Sequence, residues 1–96
     1  MIPIEEYIKL MNDRDIECLE SAIAEGFEYA VVNVHVFNVG AYIDIEYTNE
    51  YKEPEDNGYG YTTDINDMFD TFMRYASDEQ KEIYYRCEED KIQILV

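Results

Sequence analysis

Asp44, Glu46 and Glu50 share one parity in the run 41–51, where Ala41, Ile43, Ile45 and Tyr47 hold the other. In an extended chain one parity is one face, and neighbours on that face stand about 6.6–6.8 Å apart. Carboxylates in such a row can meet the Lys and Arg side chains that otherwise hold nucleic-acid phosphates, a backbone with one charge per ~3.4 Å of rise along each strand. More acid follows directly. Glu53, Glu55 and Asp56 fall in the next segment, and Asp64, Asp67 and Asp70 recur at three-residue spacing, which places them on one side of a helix. From Glu50 to Asp70 there are seven acids and one base, Lys52. Tyr51, Tyr59 and Tyr61 are interleaved with these acids. Tyrosine brings rigid area with a polar tip, and its ring offers a stacking face to a partner's Arg. A second acid row, Asp13, Asp15, Glu17 and Glu20, is broken by Arg14 and ranks behind the first.

Other chemistries find less support. His35 is the sole histidine and lies in the most strand-like run, where a buried or edge hydrogen-bonded ring is expected rather than a general base. Cys18 and Cys87 fall in segments that read as helical, with no metal or redox spacing, so free, partly buried thiols are expected. No Gly-rich phosphate loop follows a strand. The stretch Glu53–Asp64 approaches a calcium-loop frame, with Gly58 at its sixth position. It departs from that frame by Glu at position 1, Pro54 at position 2 and a short Asp at position 12. The residues therefore predict no catalytic centre, no metal site and no cofactor.

Charge sets the frame for these rows. The 96 residues carry 23 acidic and 7 basic side chains, a net charge of −16. Solubility alone is served by a magnitude of roughly 2–8, and more charge destabilises the compact state by self-repulsion. At 47% hydrophobic and 15% aromatic the chain is too apolar for a disordered acidic tail. An acidic surface disfavours direct contact with nucleic acid or an anionic membrane, since both require Lys and Arg. It favours a basic protein partner.

The elements that must position the rows can be read from periodicity and caps. A short helix is expected over 3–12, with Ile4, Tyr7, Ile8 and Met11 at helical spacing, and a second over 14–25, ended by Gly26. Residues 27–37 read as a central strand with apolar side chains on both faces, and 41–51 returns as its antiparallel partner after Asn38-Val39-Gly40. Residues 52–63 read as a loop. Thr62 or Thr63 is expected to cap a helix over 64–76. Ser77 and Gln80 fit a capping box for a fourth helix reaching about residue 88, and 91–96 reads as a closing strand. The expected fold is a single α+β domain: a small, mainly antiparallel three-stranded sheet packed by helices, in the order ααββααβ.

In size, acidity, tyrosine content and charge layout the chain resembles phage-encoded DNA mimics, the anti-restriction proteins and several anti-CRISPR proteins. The resemblance implies an inhibitor that occupies the groove of a nuclease, CRISPR effector or restriction enzyme. It covers composition over the whole chain and carries no motif. An immunity protein or antitoxin blocking a basic nuclease fits the same features, with 92–96 loosely reminiscent of the closing strand of barstar-like inhibitors. A very soluble acidic domain without mimicry is the third reading. The expected partner is a basic, nucleic-acid-binding protein, with no direct nucleic-acid or membrane contact, and the expected state is monomer or homodimer. Residues 1–6 lack a basic leader and a long apolar run, so a cytoplasmic protein is expected.

Overall fold

Asn12 opens the first long helix with reciprocal bonds. Its Oδ1 accepts from the Asp15 amide at 2.9 Å, while Asp15 Oδ2 accepts from the Asn12 amide at 3.0 Å. This capping box satisfies two donors that a helix start leaves without partners. In the computed structural model, which describes residues 4–55 and 59–95 and side chains up to Lys91, the helix runs Asp13–Glu25 (α2). It stops at Gly26, whose φ of 84° is left-handed and whose amide donates back to the carbonyls of Ala22 and Ile23. A short helix, Ile4–Lys9 (α1), precedes it.

Tyr29–Phe37 (β1) and Gly40–Thr48 (β2) form an antiparallel hairpin in unbroken register, from Tyr29 opposite Thr48 to Phe37 opposite Gly40. The third strand is Tyr61–Asp64 (β3), antiparallel to the inner half of β1, and the sheet order is β2-β1-β3. Two helices follow, Ile65–Tyr75 (α3) and Asp78–Leu95 (α4). The α+β class, four helices and a three-stranded antiparallel sheet agree with the expectation.

The third strand is not where periodicity placed it. Residues 91–95, expected as strand, continue α4 as helix. No Gly or Pro separates them from the helix start, and Tyr84, Cys87 and Lys91 follow one another at helical spacing toward α2. Lys91 Nζ lies 2.6 Å from Oε2 of the buried Glu20, which fastens this end of α4 to α2. Tyr61–Asp64, expected as loop and cap, supplies the strand instead: an aromatic residue and two β-branched ones suit a pleated surface. Asp64 takes over the cap of α3 and accepts from the Asn66 amide at 2.8 Å. The Ser77–Gln80 capping box forms as expected, at 2.9 and 3.1 Å.

One face of the sheet meets the helices. Ala30, Val32 and Val34 from β1 and Ile43 from β2 pack with Ile8, Ile16, Leu19, Met68, Phe72 and Tyr84. Burying a side chain such as Phe72 stabilises the fold by about 1.5–3 kcal/mol. The opposite face carries Val31 and Asn33, which are also buried. They are covered by the segment that follows β2. The Thr62 hydroxyl donates to the Lys52 carbonyl, and the Glu55 amide donates to Asn33 Oδ1 at 2.9 Å.

Candidate partner-binding surface

The hairpin is longer than the layer that covers it. β1 is buried through Val34 and exposed from His35 to Phe37. β3 pairs with β1 only as far as Val32, so the outer third of the hairpin stands beyond both the helices and the third strand. There His35 stacks on Tyr42, with ring centroids 4.5 Å apart and planes at 16°, and Phe37 leans on the same ring. Val36, Phe37, Val39 and Tyr42 are all at least half exposed. His35 was expected in a buried run. It is exposed because its strand outruns the core, a fact of tertiary layout that alternation along the chain does not carry.

Asp44 and Glu46 project from β2 on the face away from the helices, beside Asn33 and Val31 respectively. Both are exposed. Glu46 is held by Lys52, whose Nζ lies 2.8 and 3.0 Å from its two oxygens. Among the described residues no cation pairs with Asp44 in this way. With Asn33, His35 and Glu55 it lines a notch of about 290 Å³. Glu50 and Tyr51 do not continue this face, because β2 ends at Thr48. The Thr48 hydroxyl donates to the Glu50 carbonyl at 2.8 Å and turns the chain away. Tyr51 stands edge-on to Tyr29 and donates to Glu53 Oε1 at 2.9 Å.

The remaining expected contacts divide. Glu55 and Tyr59 are exposed; Asp56 lies outside the described residues. Tyr61 is no surface anchor. It packs edge-on against the buried Tyr7 at 5.2 Å, and burial pushes its phenol up to about 12. Tyr75 is exposed, whereas Tyr84 is buried. Asp64 is engaged as a cap, and Asp67 and Asp70 line a separate cleft with Ile4, Thr71, Arg74 and Tyr75. That cleft lies on α3, which follows β3, the strand on the other side of β1 from β2. The acids of β2 and those of α3 therefore form two surfaces.

A different joining occurs at β2. Asp15, from the second acid row on α2, comes near Asp44 of β2, whereas Glu20 of that row is buried against Lys91. Burial raises the Asp15 carboxyl above its ordinary range, and the charge of Asp44 raises it further. Glu17 and Glu25 line a groove of about 500 Å³ between α2 and β2, together with Arg14, Cys18, Ser21, Phe27 and Tyr47. Burial, with Cys18 and Asp15 nearby, pushes the Tyr47 phenol upward, so this hydroxyl remains a donor across the physiological range. Cys18 is exposed and Cys87 half-buried, both as free thiols. The calcium-loop frame does not survive as a ligand set, since Tyr61–Asp64 is strand and Asp64 is a cap. Among the described residues no group of three or more His, Cys, Asp or Glu side chains is arranged to hold a metal. No helix among them is long and apolar enough to cross a membrane.

Compared with protein-family models, with curated proteins and with solved structures, the chain matches none.

Proposed function

We propose that this protein acts by binding rather than by catalysis, and that it inhibits a nucleic-acid-handling protein by presenting carboxylates to that protein's basic groove. The observation that carries the reading is the exposed pair Asp44 and Glu46 on the outer strand of the sheet, with Asp15 of α2 near Asp44. Asp44 on β2 and Asp15 on α2 lie close enough for one to hinder ionisation of the other. Glu17 and Glu25 add carboxylates along the neighbouring groove between α2 and β2. Like charges gathered in this way oppose folding, and a partner's Lys and Arg side chains relieve the opposition when they arrive. The exposed Tyr42, His35 and Phe37 beside the acids supply flat rings on which Arg can stack. Opposite charge speeds encounter and makes it sensitive to salt. A cytoplasmic place of action belongs to the same proposal.

The test is capture of partners from a nuclease-treated bacterial lysate at about 0.1 M and about 0.5 M salt, where the Debye length falls roughly twofold. Recovery of a nucleic-acid-binding protein that is released by the higher salt and by competing DNA supports the reading. Recovery of a neutral partner unaffected by either, or of none, overturns it.

A further inference from the structure

A strand at the margin of a sheet offers a row of backbone donors and acceptors to any extended chain that reaches it, and most proteins blunt that margin. β2 is such a margin, and among the described residues no strand pairs with its outer side. It has nine residues, about 30 Å of extended chain. Of the usual devices only charge is present. The strand contains no Pro and no Lys, and its one-to-one register with β1 leaves no bulge. It carries Asp44 and Glu46, the latter held by Lys52, with Tyr42 next in the same row. Between this margin and α2 runs the groove of about 500 Å³ that holds Glu17, Phe27 and Tyr47. The Tyr47 hydroxyl oxygen is buried and has no hydrogen-bond partner among the described residues.

Together these features fit one occupant. A second copy of this chain is opposed, because it brings another −16 of charge and its own Asp44 and Glu46 to the contact. An extended segment with cations at alternate positions is favoured. Its alternate side chains stand about 6.6–6.8 Å apart, the spacing of Asp44 and Glu46 themselves. Its backbone satisfies the open margin, and its intervening side chains enter the groove over Tyr47. We propose that β2 is a docking edge for an extended, alternately basic segment of the partner, which adds to the sheet as a fourth strand with α2 as the wall of its groove. The proposal rests on the reading above that the partner is basic, and adds that recognition runs through the backbone as well as through charge. Main-chain pairing then gives affinity, and the side chains beside it give selectivity.

The probe is a synthetic nonapeptide of alternating Lys and Thr, compared with the same sequence methylated at every backbone nitrogen and with a peptide of equal composition whose lysines are contiguous. Binding is followed by chemical-shift titration at about 0.1 M salt, with amide exchange read along β2. The alternating peptide is expected to bind at least tenfold more tightly than either control and to slow exchange along β2. The double variant D44K/E46K, whose changes are on exposed positions, is expected to lose that binding while its unperturbed amides report an intact fold. Equal binding by the methylated peptide overturns edge docking and leaves a purely charge-driven surface. Absence of binding by all three peptides overturns edge docking and the basic-partner reading together.

Discussion

The two margins of the sheet are built differently. β3 has four residues, and three of them, Tyr61, Thr62 and Thr63, are half-buried. Its side chains are occupied: Tyr61 lies against Tyr7, the Thr62 hydroxyl donates to Lys52, and Asp64 caps the helix that follows at once. β2 has nine residues, its acids stand in solvent, and a groove opens beside it. Short length and occupied side chains close one margin, whereas the other is long, regular and guarded by charge alone. The carboxylates of the two sides are therefore engaged differently. On the β3 side Asp64 caps a helix, and Asp67 and Asp70 line a cleft beside Arg74. On the β2 side they outnumber the cations near them, Lys52 at Glu46 and Arg14 beside Asp15 and Glu17.

Truncating the closed side should cost most. Tyr61→Ala removes a half-buried ring from the core edge and is expected to destabilise the fold by about 2–4 kcal/mol in urea unfolding, near the range for large aromatic truncations. The matching change on the open side, Tyr42→Ala, is expected to stay within about 0.5 kcal/mol, as exposed substitutions do. Equal costs at the two positions would erase the distinction.

Next in size is the response to alkali. Burial lifts the phenols of Tyr61 and Tyr84 from 10.0 to about 12. The folded chain thus holds these protons more tightly than the unfolded chain does. Their contribution is complete below about pH 10 and is lost as pH rises toward about 12. Denaturant midpoints measured across that interval should fall, and Tyr61→Phe should flatten the fall. A flat profile in the parent protein contradicts the burial assigned to both rings.

The smallest effect is on the open side. Asp15 has a raised carboxyl pKa, so its contribution to stability improves as pH falls through its native titration and is least favourable at neutrality. Asp15→Asn keeps an acceptor for the Asn12 amide and removes the charge facing Asp44. A gain of a few tenths of a kcal/mol at pH 7 is expected, within the usual range for surface changes. A loss larger than about 1 kcal/mol would show that the cap depends on the carboxylate.

Much of this fold was legible along the chain because its signals are local. Asn12 with Asp15, Gly26, and Ser77 with Gln80 announce helix ends within a few residues of themselves. Alternation from Ala41 to Tyr47 announces β2. The third strand was hidden because four residues give too little alternation, and Thr62 and Thr63 read equally well as caps. The apparent strand at 91–95 was decided by α2, through the buried Glu20 facing Lys91, which is a tertiary matter. The acid of the site was visible as composition, but its grouping was not. Asp15 sits 29 residues before Asp44 in the chain, and only the packing of α2 beside β2 makes them neighbours. His35 and Tyr42 were legible as strand residues, while their exposure depends on where the helix layer stops.

The measurement that bears most directly on this account is the affinity of the captured partner for two charge-reversed variants, D44K/E46K at the open margin and D67K/D70K on α3. Both reverse two exposed carboxylates and change net charge by the same amount, so nonspecific attraction weakens equally in each. The account predicts a loss of at least tenfold for D44K/E46K and a loss of no more than about threefold for D67K/D70K, at about 0.1 M salt. Equal losses would make overall charge the agent, and a greater loss on α3 would place the binding surface on the side assigned here to structure.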